Sequence, residues 1–184
     1  MSRLVGGIRQ LGLVVRDADA AMRQWSSVFG IGPFIPARHI EFEEYRYRGR
    51  AAEPPIVTLC IAQSGPVQIE IVQQHNTAPS AYTEFLGSGR EGSQHVATWF
   101  SSHHEYERAY QTLLGNGLTL VHEARLSAID CRFAYFDGGV PGGLMIEIAE
   151  SLLPNIAPML ERLSEIAERW DGADPIRSPE SLFT

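Results

Sequence analysis

The chain has 184 residues, 44% hydrophobic and 20% charged. That is the balance of a globular chain of about one domain, and it excludes a disordered chain, a collagen and a coiled coil. Fifteen basic against 22 acidic residues leave a net charge of −7, which argues against a general nucleic-acid binder, since phosphate contacts need basic surface.

Residues 1–9 lack the apolar run of a secretory signal, and no stretch reaches the about 18 apolar residues of a membrane span. Cys60 and Cys131 sit inside apolar runs, and two thiols make no disulfide framework, so a cytoplasmic location is expected. Residues 8–15 alternate as a strand, with Leu11, Leu13 and Val15 on one face and Gln10, Gly12 and Val14 on the other. Asp17 is a helix N-cap. Ala21, Met22, Trp25, Val28 and Phe29 form the helical stripe, and Gly30 ends it. Further strands are expected near 38–48, at 56–63 and at 67–73, the last two joined by the turn Ser64-Gly65-Pro66. Residues 74–92 read as a connector with one short helix.

The pattern then begins again, 85 residues on. Residues 94–100 are a strand, Ser102 and Glu105 form a capping box, and Tyr106, Ala109, Tyr110, Leu113 and Leu114 form a stripe ended by Gly115. Gln10 thus corresponds to His95, Asp17 to Ser102 and Gly30 to Gly115. Strands near 118–124, at 131–136 and at 144–149 follow. The turn between the last two contains Gly138, Gly139, Pro141, Gly142 and Gly143. Each half reads β-α-β-β-β, an α+β chain whose modules, 8–73 and 93–149, make one domain over 1–149. Residues 150–184 add a helix near 154–170, with an apolar stripe (Ile156, Met159, Leu160, Leu163, Ile166) expected to pack on the domain or on a second subunit. The last ten residues are expected to be loose.

Four polar residues fall at matched places in the two halves. Gln10 and His95 lie on the first strands, Glu70 and Glu147 on the last. Each glutamate interrupts an Ile-Glu-Ile run, a costly place for a carboxylate if that face is dry. Taken singly, each residue has an ordinary structural reading; their symmetry argues for one site. Two carboxylates, an imidazole and an amide oxygen suit a divalent ion, Zn, Ni, Co, Mn or Fe.

These same residues carry a resemblance. Gln-Leu-Gly-Leu-Val-Val-Arg-Asp at 10–17, Gln-Ile-Glu-Ile-Val-Gln at 68–73, Gly-Ser-Gln-His-Val-Ala at 92–97 and Gly-Leu-Met-Ile-Glu-Ile at 143–148 resemble, in order, the four ligand-bearing elements of the vicinal oxygen chelate superfamily, which includes glyoxalase I and methylmalonyl-CoA epimerase. The resemblance covers roughly 8–149. It implies two tandem βαβββ modules around a half-open mixed β-barrel, and metal ligands at Gln10, Glu70, His95 and Glu147.

If the metal is present, the implied reaction is abstraction of a proton beside a carbonyl through a metal-stabilised enediolate, an isomerase or lyase chemistry. Glu147 or Glu70 would be the base. Glu53, roughly where the epimerases carry a non-ligand Glu, is a further candidate, against its reading as a solvated loop residue. Trp99 and Met145 are candidate cavity walls. Arg46 or Arg48 is a candidate for holding an anionic substrate group on a strand that otherwise reads as exposed. His103 and His104, at a helix start, read as exposed. Two other functions compete: a metal-free small-molecule binding protein of the bleomycin-resistance type, and a ring-cleaving dioxygenase. The dioxygenase ranks last because Gln10 and Glu70 stand where a second His ligand to Fe(II) is needed. The expected partners are a small-molecule carbonyl substrate and a second copy in a homodimer, with neither nucleic acid nor membrane.

Overall fold

The protein is described by a computed structural model, in which residues 2, 4–139 and 143–183 are described. In chain order the main elements are β1 (Gln10–Val14), α1 (Ala18–Phe29), β2 (Ile35–Glu41), β3 (Glu43–Tyr47), β4 (Arg50–Ala51), β5 (Ile56–Ser64), β6 (Val67–Gln74) and α2 (Ala81–Gly87). They continue as β7 (Gly92–Trp99), α3 (His103–Gly115), β8 (Thr119–Leu126), β9 (Cys131–Asp137), β10 (Met145–Ala149) and α4 (Ala157–Glu168). Pro141 and Gly142, expected in the turn between the last two strands, lie outside the described residues.

Among the described residues the strands form one mixed sheet in the order β2-β5-β6-β1-β7-β10-β9-β8-β3-β4. Outward from the antiparallel β1–β7 pair, each half lays down its first strand, its last, its last but one and its second. The first-to-last pairings, β1 with β6 and β7 with β10, are parallel. The sheet therefore repeats as two βαβββ halves, with α1 and α3 beginning 85 residues apart as the sequence offset requires.

The N-caps form as read, but the capping box at α3 is half made, because the Glu105 carboxylate accepts from Ser101 Oγ, and α3 runs through Gly115 to a C-cap at Asn116. Asp17 accepts from the Ala20 N–H, Gly30 ends α1 in the left-handed region, and Ser102 accepts from the Glu105 N–H. Met22 of α1 packs with Leu13, Val15, Ile69 and Ile71 on the outer face of the first half. Tyr106, Ala109 and Leu113 of α3 pack with Ala134, Phe136 and Ile148 on the second. Inside the curl, Val14, Val72, Phe133 and Tyr135 meet Tyr82 and Phe85 of α2, so the connector helix plugs one end of the half-barrel. Both faces of the central strands are thus covered, which is why β1 alternates yet buries Gln10 and Val14 as well as Leu13. No helix among the described residues is long and apolar enough to cross a membrane.

Two expectations are corrected. Residues 38–48 do not make one strand. The chain turns at Phe42, whose buried ring (4% exposed) packs edge-on to Phe133. On one side β2 pairs with β5; on the other β3 pairs with β8 of the second half. A link of one residue between strands at opposite ends of the sheet order requires the sheet to curl. The last ten residues are also not loose. Phe34 N–H donates to Pro175 O and Arg177 N–H to Phe34 O, Trp170 stacks against Gly32, and Leu182 is buried beside Ile35, Leu163 and Ile166.

One buried histidine was not foreseen. His122 is enclosed edge-on by Tyr82, Tyr135 and Phe133. Its Nδ1 accepts from the Ala81 N–H at 3.3 Å, and its Nε2 has no hydrogen-bond partner. Burial pushes its pKa down to about 3, with His95 adding repulsion. Because the unfolded chain takes up this proton near pH 6.5 and the folded chain does not, stability falls as pH drops from about 6.5 toward 3. Urea unfolding at pH 6.5 and at pH 5 is expected to show this loss, and His122→Phe, which keeps the aromatic packing, is expected to flatten it.

Candidate metal centre

Four adjacent strands, β6, β1, β7 and β10, carry Glu70, Gln10, His95 and Glu147 across the seam between the two halves. In the register Gly12 is the partner of Glu70 on one side and of His95 on the other, and Glu147 stands opposite Ala97. Gly12 is what lets the imidazole lie flat across β1. A Cβ at this position would sit 1.8 Å from His95 Cε1 and 1.9 Å from Nε2. Gly12→Ala is therefore expected to displace the ring while leaving the outer core intact. Metal affinity by calorimetry should fall at least about 10–100-fold, the range seen when a ligand's support is removed. Unchanged affinity would mean that His95 is not a ligand.

A register shift follows Gly12: it pairs with His95, but Leu13 pairs with Ser93. The bulge buries two consecutive residues, Gln94 and His95, which alternation would send to opposite faces. Gln94 Nε2 donates to Ala81 O at 3.3 Å, which turns its Oε1 to His95 Nδ1 at 2.8 Å. With Nδ1–H donating there, Nε2 is left facing the interior. Nε2 lies 3.2 Å from Glu147 Oε2, 3.3 Å from Glu70 Oε2 and 3.3 Å from the Tyr135 hydroxyl. One ligand atom each from Glu70, His95 and Glu147 lies within 4.8 Å of the others.

Gln10 adjoins this cluster. Its Nε2 donates to Gln68 Oε1 at 2.7 Å and reaches Glu70 Oε1 at 3.4 Å. Two oxygens are left over: Gln10 Oε1 and Glu147 Oε2 are buried with no hydrogen-bond donor, the contact of Oε2 with His95 lacking hydrogen-bond geometry. A buried acceptor left unpaired costs about 1–3 kcal/mol. Three carboxylate or amide oxygens and one imidazole nitrogen, two of the oxygens without donors, fit a divalent first-row cation.

Without an ion, the two carboxylates draw a proton onto His95 in its place. Burial alone would depress His95, but Glu147 and Glu70 outweigh it and push its pKa up to about 9. Burial raises Glu147, an effect that His95 partly offsets. Burial also holds the hydroxyls of Tyr135 and Tyr82, 3.3 Å apart, neutral well above the usual phenol range.

The other expected residues divide. Trp99 lines the cavity in front of Glu70 and Glu147. Met145 does not; its sulfur lies 3.3 Å from Gln94 Nε2. Glu53 is exposed in the loop between β4 and β5, away from the cavity lining. Arg48 is held by Glu84 of α2 at 2.9 and 3.0 Å, and Arg46 by Glu123 at 3.6 Å, so neither reaches the cavity. His103 and His104 are exposed, and His103 Nδ1 contacts Glu150 at 2.7 Å. Sequence reasoning missed Gln94, Gln68 and Tyr135. Gln68 is the register partner of Gln10, and Tyr135 that of Glu147. Only strand pairing could have singled them out.

The cavity measures about 430 Å³. Gln10, Gln68, Glu70 and Glu147 form its polar floor, and apolar side chains from β2, β5, β9 and the C-terminal segment form its walls.

A family model for the Glyoxalase/Bleomycin resistance protein/Dioxygenase superfamily matches residues 9–135. Among solved structures, methylmalonyl-CoA epimerase from Mycobacterium tuberculosis is similar at 20% identity, over 82% of this chain and 91% of that one, with a TM-score of 0.53. A hypothetical protein from Bacillus halodurans C-125 is similar at 17% identity, over 78% of this chain and 93% of that one, with a TM-score of 0.53. At these identities the likeness is one of fold. A search of curated proteins returns no significant match.

Proposed function

The chain belongs to the Glyoxalase/Bleomycin resistance protein/Dioxygenase superfamily, and from that premise we propose a metal-dependent enzyme that removes a proton from the carbon beside a substrate carbonyl, as an isomerase or lyase. Gln10, Glu70, His95 and Glu147 would hold the divalent ion, which when bound would supply positive charge against the carbonyl oxygen.

The rest is the work of the chain. Glu147 Oε2 takes the proton from the α-carbon, and the C–H electron pair moves to the carbonyl oxygen. Glu70, across His95 Nε2 from Glu147, gives a solvent-derived proton to the opposite face and so inverts the carbon; return of the abstracted proton by Glu147 to a neighbouring atom isomerises the substrate. A carboxylate in a dry cavity is the stronger base for this step. Gln94 holds the imidazole in one orientation, and Gln68 holds the Gln10 amide with its oxygen free. The apolar walls keep bulk water from reprotonating the carbanion. The observation that supports this reading is the donor-free Glu147 Oε2, buried against His95 on a residue that lines the cavity floor.

The test is α-proton exchange in D2O, followed by NMR, with methylmalonyl-CoA and a simple ketone as alternative substrates. Protein loaded with Zn, Ni, Co or Mn is compared with chelator-treated protein. Exchange that needs both protein and metal is expected. Exchange absent under every loading would turn the reading to a small-molecule binding protein on the same fold.

A further inference from the structure

We infer, resting on the reaction proposed above, that the substrate is an uncharged, mainly apolar carbonyl compound rather than a coenzyme A thioester or a glutathione adduct. With a divalent ion offsetting Glu70 and Glu147 on the floor, the charge left along the cavity is that of Glu41 and Glu43 at the mouth, where β2 turns into β3. No basic side chain lines the cavity among the described residues. The chain has no lysine, and all 15 of its basic residues are arginines.

Three arginines that adjoin lining residues in the sequence are held by carboxylates outside the cavity: Arg38 by Asp19, Arg125 by Asp130 and Arg132 by Glu150. A phosphorylated or carboxylated substrate is recognised by bidentate arginine or by lysine. Here it would instead meet Glu41 and Glu43, and like charges at a binding surface repel.

The walls point the same way. Apart from two serines, the remaining lining is apolar, with Ile35, Leu59, Ile61 and Phe133 on the sheet side. The segment after β10 supplies the facing wall: Ile156, Met159 and Leu160 at α4, then Leu182 and Phe183 from the returning tail. This segment is tied down by Phe34, Gly32 and Ile35. At about 430 Å³ the cavity lies near the small end of ligand sites, which run roughly 300–1,000 Å³. The carbonyl belongs on the Glu70–Glu147 floor, and the hydrocarbon body against the α4 wall.

The experiment is calorimetric titration of the full chain, metal-loaded and metal-free, with 2-decanone, with 9-oxodecanoate (the same methyl ketone ending in a carboxylate) and with propionyl-CoA. The expected result is saturable binding of 2-decanone, at least about tenfold tighter than the keto acid, with no saturable binding of the thioester. From 2-heptanone upward, affinity should rise about threefold to fourfold per methylene. Equal or tighter binding of the acid or the thioester overturns the proposal.

Leu160→Arg, which puts a cation into the apolar wall, is expected to shift the ratio toward the acid at least tenfold. Ala128→Arg at the exposed rim is expected to shift it the same way without touching the core. An unchanged ratio in a folded Ala128→Arg chain also overturns it. The two readings fail separately. Ketone binding without metal-dependent exchange sinks the reaction and keeps the ligand class, whereas exchange of a thioester does the reverse.

Discussion

Glu147→Gln is expected to slow metal-supported α-proton exchange by about a hundredfold to ten-thousandfold, the span of a positioned proton-transfer group. The change keeps the shape of the side chain. It removes the negative charge and replaces a basic oxygen with an amide, on a cavity-lining residue whose Oε2 is buried without a hydrogen-bond donor. Because Glu147 is assigned to hold the ion as well, bound metal must be measured beside the rate. Exchange that falls far more than metal content assigns the proton to Glu147. Exchange and metal lost in step assign it only as a ligand. Exchange at the wild-type rate in Glu147→Gln would remove this mechanism altogether. Glu147→Asp, which restores a carboxylate on a shorter arm, is expected to recover part of the rate.

His95→Ala is expected to weaken divalent-metal affinity by about a hundredfold to a thousandfold. That is one ligand's share of the 10–16 kcal/mol typical of a four-ligand site. The readouts are elemental analysis and calorimetry. His95 is fully buried and its Nε2 separates Glu70 from Glu147. Its loss in the metal-free chain therefore also leaves two carboxylates facing each other in a dry place, and a lower melting temperature is expected. His95→Leu fills more of the space without offering a ligand and tests whether the metal effect survives when the fold is protected. Metal uptake unchanged in either variant would make His95 a purely structural residue.

Much of the fold is legible without coordinates because it is written in short-range terms. The Asp17 and Ser102 caps, the stripe around Met22 and the one around Tyr106, and the Ile-Glu-Ile runs at Glu70 and Glu147 each depend on residues a few positions apart. Steric and hydrogen-bonding preferences act at that range. Their repetition 85 residues apart identified two like halves, and matched positions in like halves singled out Gln10 with His95 and Glu70 with Glu147.

What only the tertiary structure decided lies at longer range. Phe42 divides the expected strand 38–48 because its ring finds Phe133, more than ninety positions on, and β3 then pairs with the second half. The bulge that turns Gln94 inward beside His95 comes from pairing with β1, and no pattern within 92–99 states it. Arg48 and Glu53 sat plausibly near a cavity in the sequence. One is taken by Glu84 of α2, and the other is left in solvent by the loop before β5. The tail at 170–183, without periodicity of its own, is ordered by Gly32, Phe34 and Ile35 and joins α4 as the wall of the cavity. Local sequence sets what each segment prefers to be. Which segments meet, and so which side chains share a site, is set by the burial of apolar surface that only the assembled sheet creates.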